Sequence, residues 1–288
     1  MRIGLMVSGG LGLLTLRDLY ADQNLIFVMT DRRSTEIIEY CEDKGLECYV
    51  GNPRNEGGRR FVDKQEIDVL ISVNYQFLIE SNLINLPKKH AFNLHGSLLP
   101  KYRGRTPHVW AIINGEKETG ITAHLIDDGC DTGKIIEQIK IPIEWTDTGA
   151  TMLQKFSNEY PRLVRSVLRD IDSETIKPMP QDNTKGTYFG KRTPEDGLIN
   201  WDWSKERIYN WIRAQAPPYP GAFTVLDGKK ITIKSSGFSD LGFHYEVKNG
   251  TLLSVSPLTV KTCNGALEIE LLNPEDSLWM ESKMIFGN

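Results

Sequence analysis

The chain has 288 residues, of which 40% are apolar and 25% charged, with a formal net charge of -4. Those averages exclude disordered and fibrous classes, and the length allows one large α/β unit or two domains. With its acidic balance the surface offers a polyanion no general attraction, which weighs against a nucleic-acid partner.

In chain order, RIGLMV (2 to 7), NLIFVMT (24 to 30), LECYV (46 to 50) and DVLISV (68 to 73) are short apolar runs, the pattern of strands buried on both faces. LLTLRDLYAD (13 to 22) and STEIIEYCEDKG (34 to 45) carry helical spacing between them; the second opens on Ser34 and Thr35 and closes on Gly45. This alternation predicts an α/β fold with a Rossmann-like, mostly parallel doubly wound sheet, and ligands beyond the carboxyl ends of its strands. The opening MRIGLMVSGGLGLLTL is broken by glycines and lacks a cleavage pattern, and no apolar run approaches the ~20 residues of a membrane span. No membrane partner is expected. Cys41, Cys48, Cys130 and Cys263 lie far apart without a C-x-x-C spacing, which fits a reduced, cytoplasmic setting and no metal.

VSGGLG (7 to 12) follows the first strand and opens a helix, where backbone N–H groups attract anions. Gly9, Gly10 and Gly12 do not make a G-x-G-x-x-G fingerprint, and Asp31 is the nearest acid to a ribose register, so a dinucleotide is a poor fit. A plain tight turn and a phosphate contact through Ser8, Gly9 and Gly10 stay open. Residues 91 to 107, AFNLHGSLLPKYRGRTP, are crowded with polar and basic groups. If AFNLH is a strand, Asn93 and His95 share a face by the period of two. Pro100, Gly104 and Pro107 then force a turn at the rim. HLIDDGCDTGKII (124 to 136) is an acidic loop containing Asp131. Taken singly, His95 reads as a buried structural histidine, Asn93 as a turn former and Asp131 as a loop acid; their combination points to a site.

NLHGSLLPKYRG, followed by WAIINGEKETGITAHLIDDGCDTGKII, resembles the signature region of the folate-dependent formyltransferases. The match is strong from about residue 65 to 145 and looser over the rest of the first 180. The resemblance implies Asn93, His95 and Asp131 as a catalytic trio and N10-formyltetrahydrofolate as cosubstrate. It places the backbone of Phe77, Leu78 and Ile79 along the pterin edge, with the Asp127 to Asp131 loop closing the other side. Core packing is the alternative reading of those three side chains.

The family's tRNA-modifying members carry a basic insertion after the second strand, where this chain has only Arg32 and Arg33. YFGKRTPEDGLINWDWSKERIYNWIRAQAPPYPGAFTVLDGKKITI (188 to 233) resembles the sugar-nucleotide branch. The implied acceptor is a dTDP- or UDP-linked 3-amino or 4-amino sugar for surface polysaccharide; methionyl-tRNA is the alternative. Ser8, Gly9, Gly10, Ser97, Tyr102 and Arg103 are its expected contacts, with Lys101 and Arg105 near the phosphates. A homodimer is left open. The expected domains are a catalytic one (1 to 180), a linker (181 to 205) and a small OB-like β-barrel (206 to 288) whose Asp227-Gly228 pair is a hairpin signal.

Overall fold

The apolar runs form strands where expected, because short β-branched segments between turn residues bury both faces best in a parallel sheet. The computed structural model describes residues 1 to 287. In chain order it holds β1 (Arg2–Val7), α1 (Gly9–Tyr20), β2 (Asn24–Thr30), α2 (Thr35–Lys44), β3 (Cys48–Val50), α3 (Glu56–Val62) and β4 (Val69–Val73). Then come α4 (Ser81–Ile84), β5 (His90–His95), β6 (Arg103–Gly104), α5 (Pro107–Ile113), β7 (Glu118–Leu125), β8 (Ile135–Pro142) and α6 (Gly149–Asp172). The later part has β9 (Tyr188–Phe189), α7 (Lys205–Ala214), β10 (Ala222–Leu226), β11 (Lys229–Ser239), β12 (Leu252–Val255), β13 (Leu258–Thr262) and β14 (Gly265–Leu271).

The chain divides into two compact units. The first comprises Met1–Gly104, Thr119–Ile141 and Gln154–Phe189. Its sheet has the order β3-β2-β1-β4-β5-β7-β8. The pairs β2/β3, β1/β2, β1/β4 and β4/β5 are parallel, and β5/β7 is antiparallel. Met6, Phe27, Met29, Val62, Ile67, Leu70, Leu83 and Ala91 form one buried cluster of its core. Each of these side chains other than Ala91 contributes about 1.5–3 kcal/mol by leaving water. The first helix starts within the glycine loop itself. Gly12 allows this, since a Cβ there would lie 2.9 Å from the Val7 Cβ and 3.2 Å from its carbonyl carbon.

The second unit comprises Arg105–Glu118, Pro142–Leu153 and the chain from Gly190 onward. Its five strands run β10-β11-β14-β13-β12, antiparallel at every pairing, with a hairpin turn at Asp227-Gly228. Helix α7 is capped by Ser204, whose hydroxyl accepts from the Arg207 N–H at 3.3 Å, and it buries Ile208, Trp211 and Ile212 on the expected face. The unit is not continuous in sequence. Helix α5, expected within residues 1 to 180, packs instead on α7, because six of its seven residues are buried and need an apolar partner. No helix among the described residues is long and apolar enough to cross a membrane.

Candidate active site

Strand β5 supplies Asn93 and His95 on one face, and the antiparallel ladder sets His124 of β7 opposite Asn93 and Thr122 opposite His95. Leu94 and Ala123, paired on the other face, are buried in the core. The Asn93 Nδ2 lies 3.2 Å from the His124 Nε2. The His124 Nδ1 is 2.8 Å from the Leu125 carbonyl, which can only accept, so Nδ1 carries the hydrogen. His95 likewise donates from Nε2 to the Tyr102 carbonyl at 2.8 Å. One carboxylate oxygen, Asp131 Oδ1, stands 3.5 Å from both the His95 Nδ1 and the His124 Nε2.

Asp131 reaches this position with φ at 57°, in the left-handed region that Asp tolerates better than most residues. Its Oδ2 accepts the Gly104 N–H at 2.9 Å, tying the acidic loop to the turn after β5. Burial alone pushes the Asp131 carboxyl up. The pull that a proton on His95 would exert, with the His124 ring and the Gly104 N–H, outweighs it and holds the group well below the usual carboxylate range. For His95 the balance runs the other way: burial lowers its pKa, and Asp131 with the Tyr102 carbonyl recovers only part. The arrangement is a neutral buried imidazole beside a firmly ionised carboxylate, with an amide on the same face. Such a set can accept a proton at His95 Nδ1 and offer N–H donors to an oxygen that gains charge.

Some predicted contacts turn inward. The Ser97 hydroxyl donates to the Lys101 carbonyl at 2.7 Å, closing its own turn, and is fully buried. Tyr102 is buried and stacks on Phe189 at 5.0 Å. Arg103, only 4% exposed, donates from Nε and Nη2 to the Gln181 Oε1 at 3.2 and 2.6 Å and from Nη2 to the Asn183 Oδ1 at 2.8 Å. Gln181 in turn donates to the carbonyls of Asp131 and Gly133 at 2.9 and 2.7 Å, and the Tyr188 hydroxyl donates to the Cys130 carbonyl at 2.7 Å. Residues 181 to 189, expected as a linker, thus strap together the loops that carry Asp131 and Arg103. Arg103→Met is expected to lower stability by about 2–4 kcal/mol, since it leaves the Gln181 and Asn183 oxygens without a donor. A melting temperature equal to the wild type would show the strap to be unimportant.

In the glycine loop, Ser8 is buried while Gly9 and Gly10 are exposed. The Gly9 N–H, expected at a phosphate, donates to the Ser34 Oγ at 3.0 Å, and Ser34 donates to the Asp31 Oδ2 at 2.8 Å. Asp31 therefore shapes this loop. Phe77 to Ile79 lie outside every helix and strand, so their backbone groups take no part in the sheet ladder. The Leu78 side chain is 66% exposed, Phe77 is half-buried beside Tyr75, and Ile79 packs on the core cluster. Asp127 accepts from the Gly129 N–H at 3.2 Å and the Thr132 hydroxyl at 2.7 Å, fixing the loop that ends at Asp131.

His124 is the one member of the cluster that the sequence reading did not single out. The signal was present: in ITAHL, the period of two puts Thr122 and His124 on one strand face. Only the antiparallel register shows that this face meets Asn93 and His95.

A pair of imidazoles and an amide gather around one carboxylate, a set able to move a proton and to steady an oxygen that gains charge. The formyl transferase family model matches residues 31 to 168, and the model of the formyl transferase C-terminal domain matches residues 191 to 287. The chain belongs to the formyl transferase family. Among solved structures it is similar to WlaRD, a sugar 3N-formyl transferase in the presence of dTDP and 5-N-formyl-THF, with 20% identity, TM-score 0.71, and coverage of 95% of this chain and 98% of that one. It is also similar to an N-formyltransferase from Helicobacter canadensis in complex with folinic acid and dTDP-3-aminofucose: 18% identity, TM-score 0.72, 93% and 98% covered. A 4-N formyltransferase from Francisella tularensis matches with 20% identity and TM-score 0.68, over 80% of this chain and 95% of that one.

Proposed function

We propose that the protein moves a formyl group from N10-formyltetrahydrofolate to the amine of a nucleotide-linked amino sugar. The observation that carries the reading is the cluster itself, in which His95 Nδ1 faces Asp131 at 3.5 Å while Nε2–H is held by the Tyr102 carbonyl. The sugar amine attacks the formyl carbon, the carbonyl oxygen takes up negative charge, and the nitrogen must lose a proton. Asn93 donates to that oxygen. His95 accepts the proton at Nδ1, and the resulting imidazolium has both N–H groups directed at acceptors, Asp131 Oδ1 and the Tyr102 carbonyl. Collapse of the tetrahedral centre breaks the bond to N10, which takes a proton, leaving tetrahydrofolate and an N-formyl sugar.

The residues fit the cosubstrate: Phe77 to Ile79 keep backbone groups outside the ladder for a flat, hydrogen-bonding ring, and the exposed Leu78 offers it an apolar face. The Asp127 to Asp131 loop lies toward the reacting end in this reading. The exposed Gly10 at the start of α1, together with Lys101, is assigned to the diphosphate. Ser8, Ser97, Tyr102 and Arg103 act behind that surface as its frame. The residues that carry the chemistry in this reading all fall within residues 1 to 180. The dTDP and dTDP-3-aminofucose in the two similar structures support a dTDP-linked 3-amino sugar as first choice, with a 4-amino sugar next.

A panel of dTDP-, UDP- and GDP-linked amino sugars, offered with N10-formyltetrahydrofolate beside methionyl-tRNA, tests the reading. Turnover on a sugar is expected to change little between 50 and 200 mM salt, because a diphosphate carries few charges. A tRNA reaction would weaken steeply, as binding that releases many counterions must. Efficient formylation of methionyl-tRNA with no sugar turned over would overturn the assignment.

A further inference from the structure

The mechanism above gives no part to His124, although it touches both Asn93 and the region of Asp131. We propose that His124 is a positioning residue for formyl transfer: its ring fixes the Asn93 amide so that nitrogen, not oxygen, faces the site. This rests on the formyltransferase reading of the same cluster.

The argument begins with the Leu125 carbonyl. It lies 2.8 Å from the His124 Nδ1 and cannot donate, so the hydrogen of the neutral ring sits on Nδ1. Nε2 then presents a lone pair. The Asn93 Nδ2, at 3.2 Å, meets it with an N–H. A reversed amide would set the Asn93 Oδ1 against that lone pair, acceptor against acceptor. The ring therefore selects one sense of the amide. One N–H of Nδ2 is held by His124, and the other remains for the formyl oxygen.

The contact is not an accident of two flexible side chains. Asn93 and His124 are direct partners across the β5/β7 ladder, where opposed Cβ atoms stand about 4.5–5.5 Å apart. His124 is 3% exposed, so water does not compete for Nε2. Asp131 Oδ1 lies 3.5 Å from Nε2, farther than the Asn93 Nδ2 at 3.2 Å, and is shared with His95 Nδ1 at 3.5 Å. When His95 takes the substrate proton at Nδ1, that charge engages Asp131 Oδ1. The Leu125 carbonyl continues to hold the His124 Nδ1–H, so Nε2 stays turned to Asn93 through the step that needs it.

The test is a double-mutant cycle on kcat with N10-formyltetrahydrofolate and a dTDP-linked 3-amino sugar. His124→Leu is expected to lower kcat about 30-fold, a typical loss for a mispointed oxyanion donor, with KM moving less than about twofold. His124→Gln, whose Oε1 can accept from Asn93, is expected to recover most of that loss. The Asn93→Ala/His124→Leu double variant should be no slower than Asn93→Ala alone, because His124 acts through Asn93. Additive losses in an active enzyme would overturn the positioning role alone. A wild type that formylates no amino sugar would overturn the reading beneath it as well. Should His124→Leu fail to fold, ¹⁵N NMR of the wild-type ring decides: hydrogen on Nδ1 with Nε2 bare is expected, and the opposite tautomer overturns the proposal.

Discussion

Asn93→Ala and His95→Ala are each expected to lower kcat by at least ~10², the size of a lost oxyanion donor or a lost general base. Both variants should still fold cooperatively, since the buried sheet core around Phe27 and Leu70 is untouched. The His95 variant should be the slower. His95 faces Asp131 with Nδ1 while the Tyr102 carbonyl already holds its second nitrogen, so it is placed to take the amine's proton. Circular dichroism checks folding, and steady-state kinetics at saturating sugar checks the loss. Near-normal turnover in the His95 variant would remove the catalytic assignment, whatever the fold resembles.

How much of this was legible in the chain depends on whether a residue's partner is local. Strands β1, β2 and β4 are readable because each is a short apolar run between turn residues, and β1 and β2 have the bounds that the pattern gives. Asn93 and His95 share a face by simple alternation, so that part of the site was readable too. His124 was not, because its meeting with Asn93 depends on an antiparallel register 31 residues away. Arg103 shows the same limit in reverse. A basic residue in a loop rich in Lys and Arg looks like a phosphate contact, yet its guanidinium faces Gln181 and Asn183, 78 and 80 residues on. Nothing in the spacing announces that pairing. Residues 181 to 189 have little periodicity and read as a linker, but their side chains and carbonyls hold two site loops in place. The grouping of α5 with the C-terminal unit escapes a linear reading for the same reason: a helix's buried face has no address in its own sequence.

Asp131→Asn is expected to be a severe change, lowering kcat by about 10³, because one carboxylate both faces His95 and accepts the Gly104 N–H. An amide in its place can still accept the Gly104 N–H. It cannot supply the charge that favours a proton on His95. The sign of the pH effect follows. Burial already holds the His95 pKa below its ordinary value, and Asp131 is the largest influence raising it. Removing that charge lowers the His95 pKa further, so the acid limb of the kcat profile should move to lower pH as the plateau falls. Stability should change in step. A histidine with a depressed folded pKa binds protons more readily when unfolded, so acidification below about 6.5 destabilises the native state until His95 itself protonates. In the wild type Asp131 ends that loss sooner; in the variant it should extend to lower pH. Asp131 itself, with a depressed folded pKa, adds stability at neutral pH that the wild type gives up only in strong acid. Thermal melts between pH 7 and 5 and a pH–rate profile measure both. An Asp131→Asn enzyme with an unmoved acid limb and an unchanged rate would place the carboxylate outside the mechanism and leave His95 to act without it.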